Sequence, residues 1–177
     1  METKNHHISE SSRFTNELTI KQQFTYDRMG RLISTSHQIN ENPAIYLSVN
    51  KYTELGLLSK KWLHADKNNS FLQKIDYKYN IRDWMTDIND TYNFGDDAFA
   101  MKLDYTAGTH PQFNGNIAAL TCRYPSVDGV YQFDYDGANR LTSADYIGYG
   151  NFSTSYQYDK NGNIKHIVRY GNDGDKT

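Results

Sequence analysis

The stretch FDYDGANRLTSADY, Phe133 to Tyr146, decides how this chain is read. Phe133 and Tyr135 stand at alternate positions, the signature of a strand with one apolar face. Asp136, Gly137 and Asn139 follow, residue types that close turns, and then Arg140, Leu141 and a polar run. Asp136 next to a glycine could belong to a catalytic loop, a ligand site or a chain reversal. Repetition discriminates among these, because a catalytic residue need not recur with a turn whereas a turn-closing residue must.

The pattern recurs. Six tyrosines open comparable segments: Tyr26 (YDRMGRL), Tyr52 (YTELGLL), Tyr79 (YNIRDWM), Tyr105 (YTAGTHP), Tyr135 (YDGANRL) and Tyr158 (YDKNGNI). Their intervals are 26, 27, 26, 30 and 23 residues, so the period is loose while the local pattern is tight. The next residue is Asp27, Thr53, Asn80, Thr106, Asp136 or Asp159, each with a side-chain oxygen able to accept a backbone N–H two residues on. Four positions after the tyrosine stand Gly30, Gly56, Asp83, Asn139 and Gly162, which tolerate a left-handed backbone. Six positions after it stand Leu32, Leu58, Met85, Leu141 and Ile164, all apolar. This is a three-residue hairpin loop with a bulge. The Tyr105 segment departs: Thr109 holds the left-handed position, and about six extra residues precede Gly115-Asn116-Ile117, which restores the pattern.

The residues leading into each tyrosine alternate. Positions four and two before it (Ile75 and Tyr77, Met101 and Leu103, Tyr131 and Phe133) form the more apolar face, and the intervening positions are polar except Val49. The return strands (Leu32 to His37, Leu141 to Asp145, Ile164 to Arg169) alternate less cleanly and their faces stay unassigned. TELGLLSKKWLHADK admits a helical reading, but its YTELGLL fits the hairpin template and hairpin is preferred. Asn40 to Pro43, Ala65 to Ser70, Asn89 to Asp97 and Pro125 to Gly129 are the expected connecting loops. The expectation is an all-β chain of consecutive antiparallel hairpins in a curled, repeat-built sheet. Residues 1–20 form an N-terminal tail, 21–170 the sheet domain of about six hairpins, and 171–177 a C-terminal tail.

Composition agrees with this. Only 37% of the residues are hydrophobic, yet 15 Tyr, 8 Phe and 2 Trp are too many aromatics for a disordered chain of 177 residues. A net charge of -2 implies no general attraction to nucleic acid or membrane. The basic residues Lys51, Lys60, Lys61 and Lys67 and the acidic stretch from Asp83 to Asp104 read as solvated strand faces. One cysteine, Cys122, excludes an internal disulfide and a cysteine-based zinc site. No run reaches the length of a membrane-spanning helix, and METKNHHISESSR lacks the apolar core of a secretion signal. The chain is therefore read as cytoplasmic or as an internal piece of a longer one.

YDRMGRLIS, YDGANRLTS and YDKNGNIKH resemble the consensus of the RHS, or YD-repeat, family, roughly Tyr-Asp-x-x-Gly-Arg-Leu followed by a polar β-branched run. FAMKLDYT…PQFNGNIAALTCRY with YQFDYDGANRLTSADY is also similar to a recurring segment of long bacterial members. The resemblance spans about Phe24 to Tyr170, with the Tyr52, Tyr79 and Tyr105 units degenerate. It implies hairpins adding side by side into a sheet that, in complete members, spirals into a hollow shell around a C-terminal polypeptide, often a toxin. Related shells occur in insecticidal toxin complexes and teneurins. Some members cut their own chain through a DPxGxD-like motif, which this sequence lacks. The resemblance thus implies a non-enzymatic module enclosing or presenting another polypeptide, in a secreted or cell-surface setting. Its partners are the remainder of a longer RHS chain or its cargo, with self-association through sheet edges also open. A truncated remnant without activity of its own is a further reading.

Chemical alternatives rank lower. His6-His7 is the only histidine pair, without further ligands at metal-binding spacing. The turn aspartates Asp27, Asp136 and Asp159 resemble paired hydrolase carboxylates only superficially, and DKNGNI is too short for a calcium loop. No nucleophile elbow or phosphate loop occurs, and Cys122 has only a nominal partner in His110. No catalytic residue, cofactor or metal is therefore expected. The competing reading is a carbohydrate-binding module, with Trp62 and Trp84, outside the strict template, as the sugar-stacking candidates.

Overall fold

A left-handed residue at the end of a type I turn forces one extra residue into the hairpin, and the chain is built on that bulge. The computed structural model describes residues 2–8, 18–66 and 68–171, with side chains from residue 18 onward. Thirteen strands follow in order: β1 (Glu2–Ile8), β2 (Leu18–Tyr26), β3 (Leu32–Ile39), β4 (Ile45–Tyr52), β5 (Leu58–Ala65), β6 (Phe71–Tyr79), β7 (Met85–Ile88), β8 (Ala100–Asp104), β9 (Ala119–Arg123), β10 (Asp128–Tyr135), β11 (Leu141–Gly148), β12 (Thr154–Tyr158) and β13 (Ile164–Arg169). No helix occurs among the described residues, and the all-β expectation holds.

The chain divides into two units, 1–77 and 78–177, with the division inside β6. Within each, neighbouring strands are sequential and antiparallel. Six hairpins carry the six tyrosines: β2–β3, β4–β5, β6–β7, β8–β9, β10–β11 and β12–β13. Ahead of them, Glu2–Ile8 pairs with β2, whereas the sequence had placed it in a tail. The side chains of His6 and His7 lie outside the described residues, as do Lys67 and residues 172–177 of the expected C-terminal tail.

Five turns close as the residue types dictate. Asp27, Thr53, Asn80, Asp136 and Asp159 each donate their N–H to the carbonyl four residues on, and each accepts on its own carbonyl the N–H of the left-handed residue three on. Those left-handed residues are Gly30 (φ 78), Gly56 (φ 90), Asp83 (φ 60), Asn139 (φ 60) and Gly162 (φ 88). Pairing slips by one residue just before Tyr26, Tyr52, Tyr135 and Tyr158. The Tyr105 turn is longer: Gln112 N–H reaches Tyr105 O, and Ala118 N–H reaches Asp104 O. The same turn also occurs at the other end of the strands. Asp66 N–H donates to Ser70 O, Asn69 is left-handed (φ 60), and Asp66 Oδ1 accepts Asn68 N–H and Ser70 N–H.

Register between successive hairpins is constant. The residue three past the apolar landing position faces the residue four before the next tyrosine in every interface. The pairs are Thr35 and Ser48, Lys61 and Ile75, Ile88 and Met101, Leu120 and Tyr131, Ala144 and Thr154. The loose repeat period is thus confined to the long Tyr105 turn and to the loops remote from the tyrosines.

Alternation sorts the faces. In the second unit Met101, Leu103, Leu120, Cys122, Tyr131, Phe133, Ala144 and Tyr146 share one face, while Asp87, Lys102, Asp104, Gln132, Asp134 and Asp145 share the other. In the first unit Lys51, Lys60, Trp62, Lys74 and Asp76 lie opposite Asn50, Lys61 and Ile75, so the basic residues do not all share a face. The buried apolar residues are Ala65, Ala100, Ala118, Ala119 and Ala144, and no large described side chain is fully buried. A single layer of strands has no second layer to cover its rings, so Tyr135 and Phe133 are half-buried.

Candidate functional site

The tyrosines that open the repeats form a seam between hairpins. Tyr52 Oη donates to Leu32 O (2.9 Å), Tyr105 Oη to Met85 O (2.8 Å), Tyr135 Oη to Ile117 O (2.9 Å) and Tyr158 Oη to Leu141 O (2.7 Å). Each acceptor is the landing residue of the preceding hairpin, between 17 and 20 residues upstream. The ring body covers the sheet while the hydroxyl pairs a backbone carbonyl that would otherwise lack this partner. Burial pushes the phenols of Tyr105 and Tyr135 up, so both stay neutral donors at ordinary pH.

In three hairpins the residue five past the tyrosine completes the seam. Arg31 donates from Nε to Asp27 Oδ2 (2.6 Å) and lays its guanidinium over the Tyr52 ring, 4.7 Å from the centroid. Arg140 repeats this: Nε to Asp136 Oδ2 (2.7 Å), guanidinium 4.6 Å from the Tyr158 centroid, and Nη1 to Asp159 O (3.1 Å). The turn aspartate therefore aims an arginine at the ring of the next repeat. Sequence reasoning passed over this fifth position, although the recurrence of Arg31 and Arg140 there was a visible signal.

Trp84 occupies that fifth position in its hairpin. Its ring meets Tyr105 at 5.0 Å, tilted 43°, in the role that arginine plays elsewhere. Gly115 lies so close that an added Cβ would sit 3.3 Å from Trp84 Cζ2, and the Arg82 guanidinium lies 5.0 Å from its ring centroid. With Asn80, Thr86, Tyr105 and Thr106 it lines an open depression of about 360 Å³. Trp62, on β5, faces Val49 and Lys74 and meets Phe71 at 6.5 Å. The two tryptophans thus belong to different units.

Turn tips are also tied together. Arg82 Nη1 donates to Phe113 O (2.9 Å), and Asn114 Nδ2 to Asn139 Oδ1 (2.7 Å). On the charged face His110 Nδ1 pairs with Asp134 Oδ1, while Ser143 Oγ lies 3.3 Å from both Asp134 Oδ2 and Asp145 Oδ2. Serine, histidine and aspartate meet, but the carboxylate rather than the imidazole contacts the hydroxyl, so the histidine is not placed as the serine's base. Cys122 lies on the aromatic face and His110 reaches the charged one, and burial pushes the thiol's pKa up. The structure does not bring them together. Among the described residues, no cluster of His, Cys, Asp and Glu has the composition to hold a metal.

No family model and no curated protein matches the chain. Among solved structures it is similar to one described as TcdB2-TccC3-Cdc42, with a TM-score of 0.41 and 9% identity over 98% of this chain and 15% of that one. A porin-like protein from Bacteroides uniformis gives a TM-score of 0.38 and 12% identity, covering 99% of this chain and 92% of that one. A structure described as TcdB2-TccC3-TEV gives 0.35 and 10%, covering 98% and 11%. The chain therefore spans well under two thirds of the TcdB2-TccC3 chains.

Proposed function

We propose that the chain is a non-enzymatic structural module of an RHS-type shell, enclosing or presenting another polypeptide such as a C-terminal toxin. The observation that carries this reading is the contrast between the two faces of the second unit. Tyr131, Phe133 and Tyr146 share one face, where rings meet rings, at 6.2 Å for Tyr131–Phe133 and 5.0 Å for Tyr131–Tyr146. The opposite face carries Asp87, Asp104, Asp134 and Asp145 with Lys102 and suits solvent. A half-buried aromatic face gains from being covered, and each ring covered contributes about 1 kcal/mol, since part of its surface is already out of water.

The test is to express the chain within its complete reading frame and follow a flanking polypeptide by limited proteolysis. An enclosed segment copurifies and resists protease until the sheet is denatured. Cleavage at the rate of the free segment overturns the reading.

A further inference from the structure

β13 is the last described strand of its unit, and its outer edge has no described neighbour. Tyr170 N–H donates to Ser153 O on the β12 side. By strand alternation the N–H groups of Ile167 and Arg169 point the other way, and the register shift at Gln157/Tyr158 interrupts the alternation before Ile164. Ile164 stands at the landing position, where Leu32, Met85, Ile117 and Leu141 each accept a tyrosine hydroxyl from the next hairpin. Ile164 and Ile167 are 51% and 40% exposed.

We infer that the β13 edge is a docking strand for a further tyrosine-bearing β-hairpin supplied by another polypeptide segment. The constant register fixes its geometry. Ile167 lies three past the landing residue and would face the position four before the incoming tyrosine, whose hydroxyl would reach Ile164 O. The register holds at five interfaces inside the chain and the hydroxyl contact at four of them, so the occupant is defined by continuity with an interface already built. Main-chain hydrogen bonds supply the attraction and the tyrosine fixes the register. The inference deepens the module reading by naming the chemistry of a partner, but strand addition can be measured without any enclosed cargo.

The probe is a synthetic peptide with the sequence of residues 153–170, fluorescently labelled and titrated against the full chain by anisotropy. Its Tyr158 and Thr154 would serve as the incoming tyrosine and the residue facing Ile167. Saturable binding is expected, weakened about three- to tenfold when the peptide carries Tyr158→Phe, the effect of one lost hydrogen bond. In the protein, Ile167→Pro removes an outward N–H and should abolish binding while circular dichroism stays unchanged. The peptide substitution reads the same contact without touching the protein's fold. Absence of saturable binding, or binding indifferent to both Tyr158→Phe and Ile167→Pro, overturns the inference. Such a failure alongside a protease-protected cargo would leave the shell reading standing.

Discussion

Asp136 serves two ends of one turn with one carboxylate. Oδ1 accepts the N–H groups of Ala138 and Arg140, and Oδ2 accepts Arg140 Nε. The Arg140 side chain holds the Asp136 carboxyl below its ordinary pKa, the Arg31 N–H does so for Asp27, and the Asn163 side chain for Asp159. Groups whose pKa is depressed by folding contribute stability that is complete above the ordinary carboxylate pKa, about 3.9, and lost as pH falls through the folded values. The urea midpoint should therefore hold steady from neutral pH to about 5 and fall below about 4. Asn80 caps the same turn with an amide, so a triple variant Asp27→Asn, Asp136→Asn, Asp159→Asn should fold and show a shallower acid decline. An equally steep decline in the variant would place the acid sensitivity elsewhere. Tyr135→Phe removes one part-buried hydrogen bond, to Ile117 O, and should cost about 1 kcal/mol in urea unfolding.

At the scale of the hairpin, the left-handed position is set by backbone rather than by space. A Cβ added at Gly30 would meet nothing within 4 Å, yet φ is 78. Gly30→Val should therefore destabilise by about 1–2 kcal/mol through the backbone alone. Thermal unfolding of this variant checks it, with Met29→Val as the neighbouring control, exposed and expected near neutral. These turns were legible in the sequence because few residue types cap them and few adopt positive φ. The seam was not, since its acceptors are backbone carbonyls, which every residue possesses, 17 to 20 residues away. For the same reason Trp84 looked off-template until Tyr105 was seen beneath its ring. The turn at Asp66 escaped notice because Ala65, not tyrosine, precedes it. The half-burial of Tyr135 and Phe133 was not legible either, because alternation reports which face a ring takes, not whether another layer covers it. Coupling between hairpins is accessible through Arg140 and Tyr158: a double-mutant cycle of Arg140→Ala and Tyr158→Leu, which removes the ring, should yield about 0.5–1 kcal/mol of interaction.

Across a whole unit, stability should propagate from hairpin to hairpin, because each strand pairs only with its sequence neighbours. In the second unit β12–β13 is held to the rest by the Ala144–Thr154 and Ser143–Ser155 pairings, by Tyr158 Oη on Leu141 O and by Arg140 on Asp159 O. β9 and β10, by contrast, have strands on both sides. Amide hydrogen exchange should therefore be fastest along β13, whose residues are mostly exposed, and slowest along β9 and β10. Tyr158→Phe weakens a single interface and should raise exchange in β12 and β13 severalfold while leaving β9 and its pairing with β8 unchanged. Exchange that rises equally across all these strands would show that the unit opens as one block. The tyrosine seam would then add to a cooperative whole, rather than joining hairpins one interface at a time.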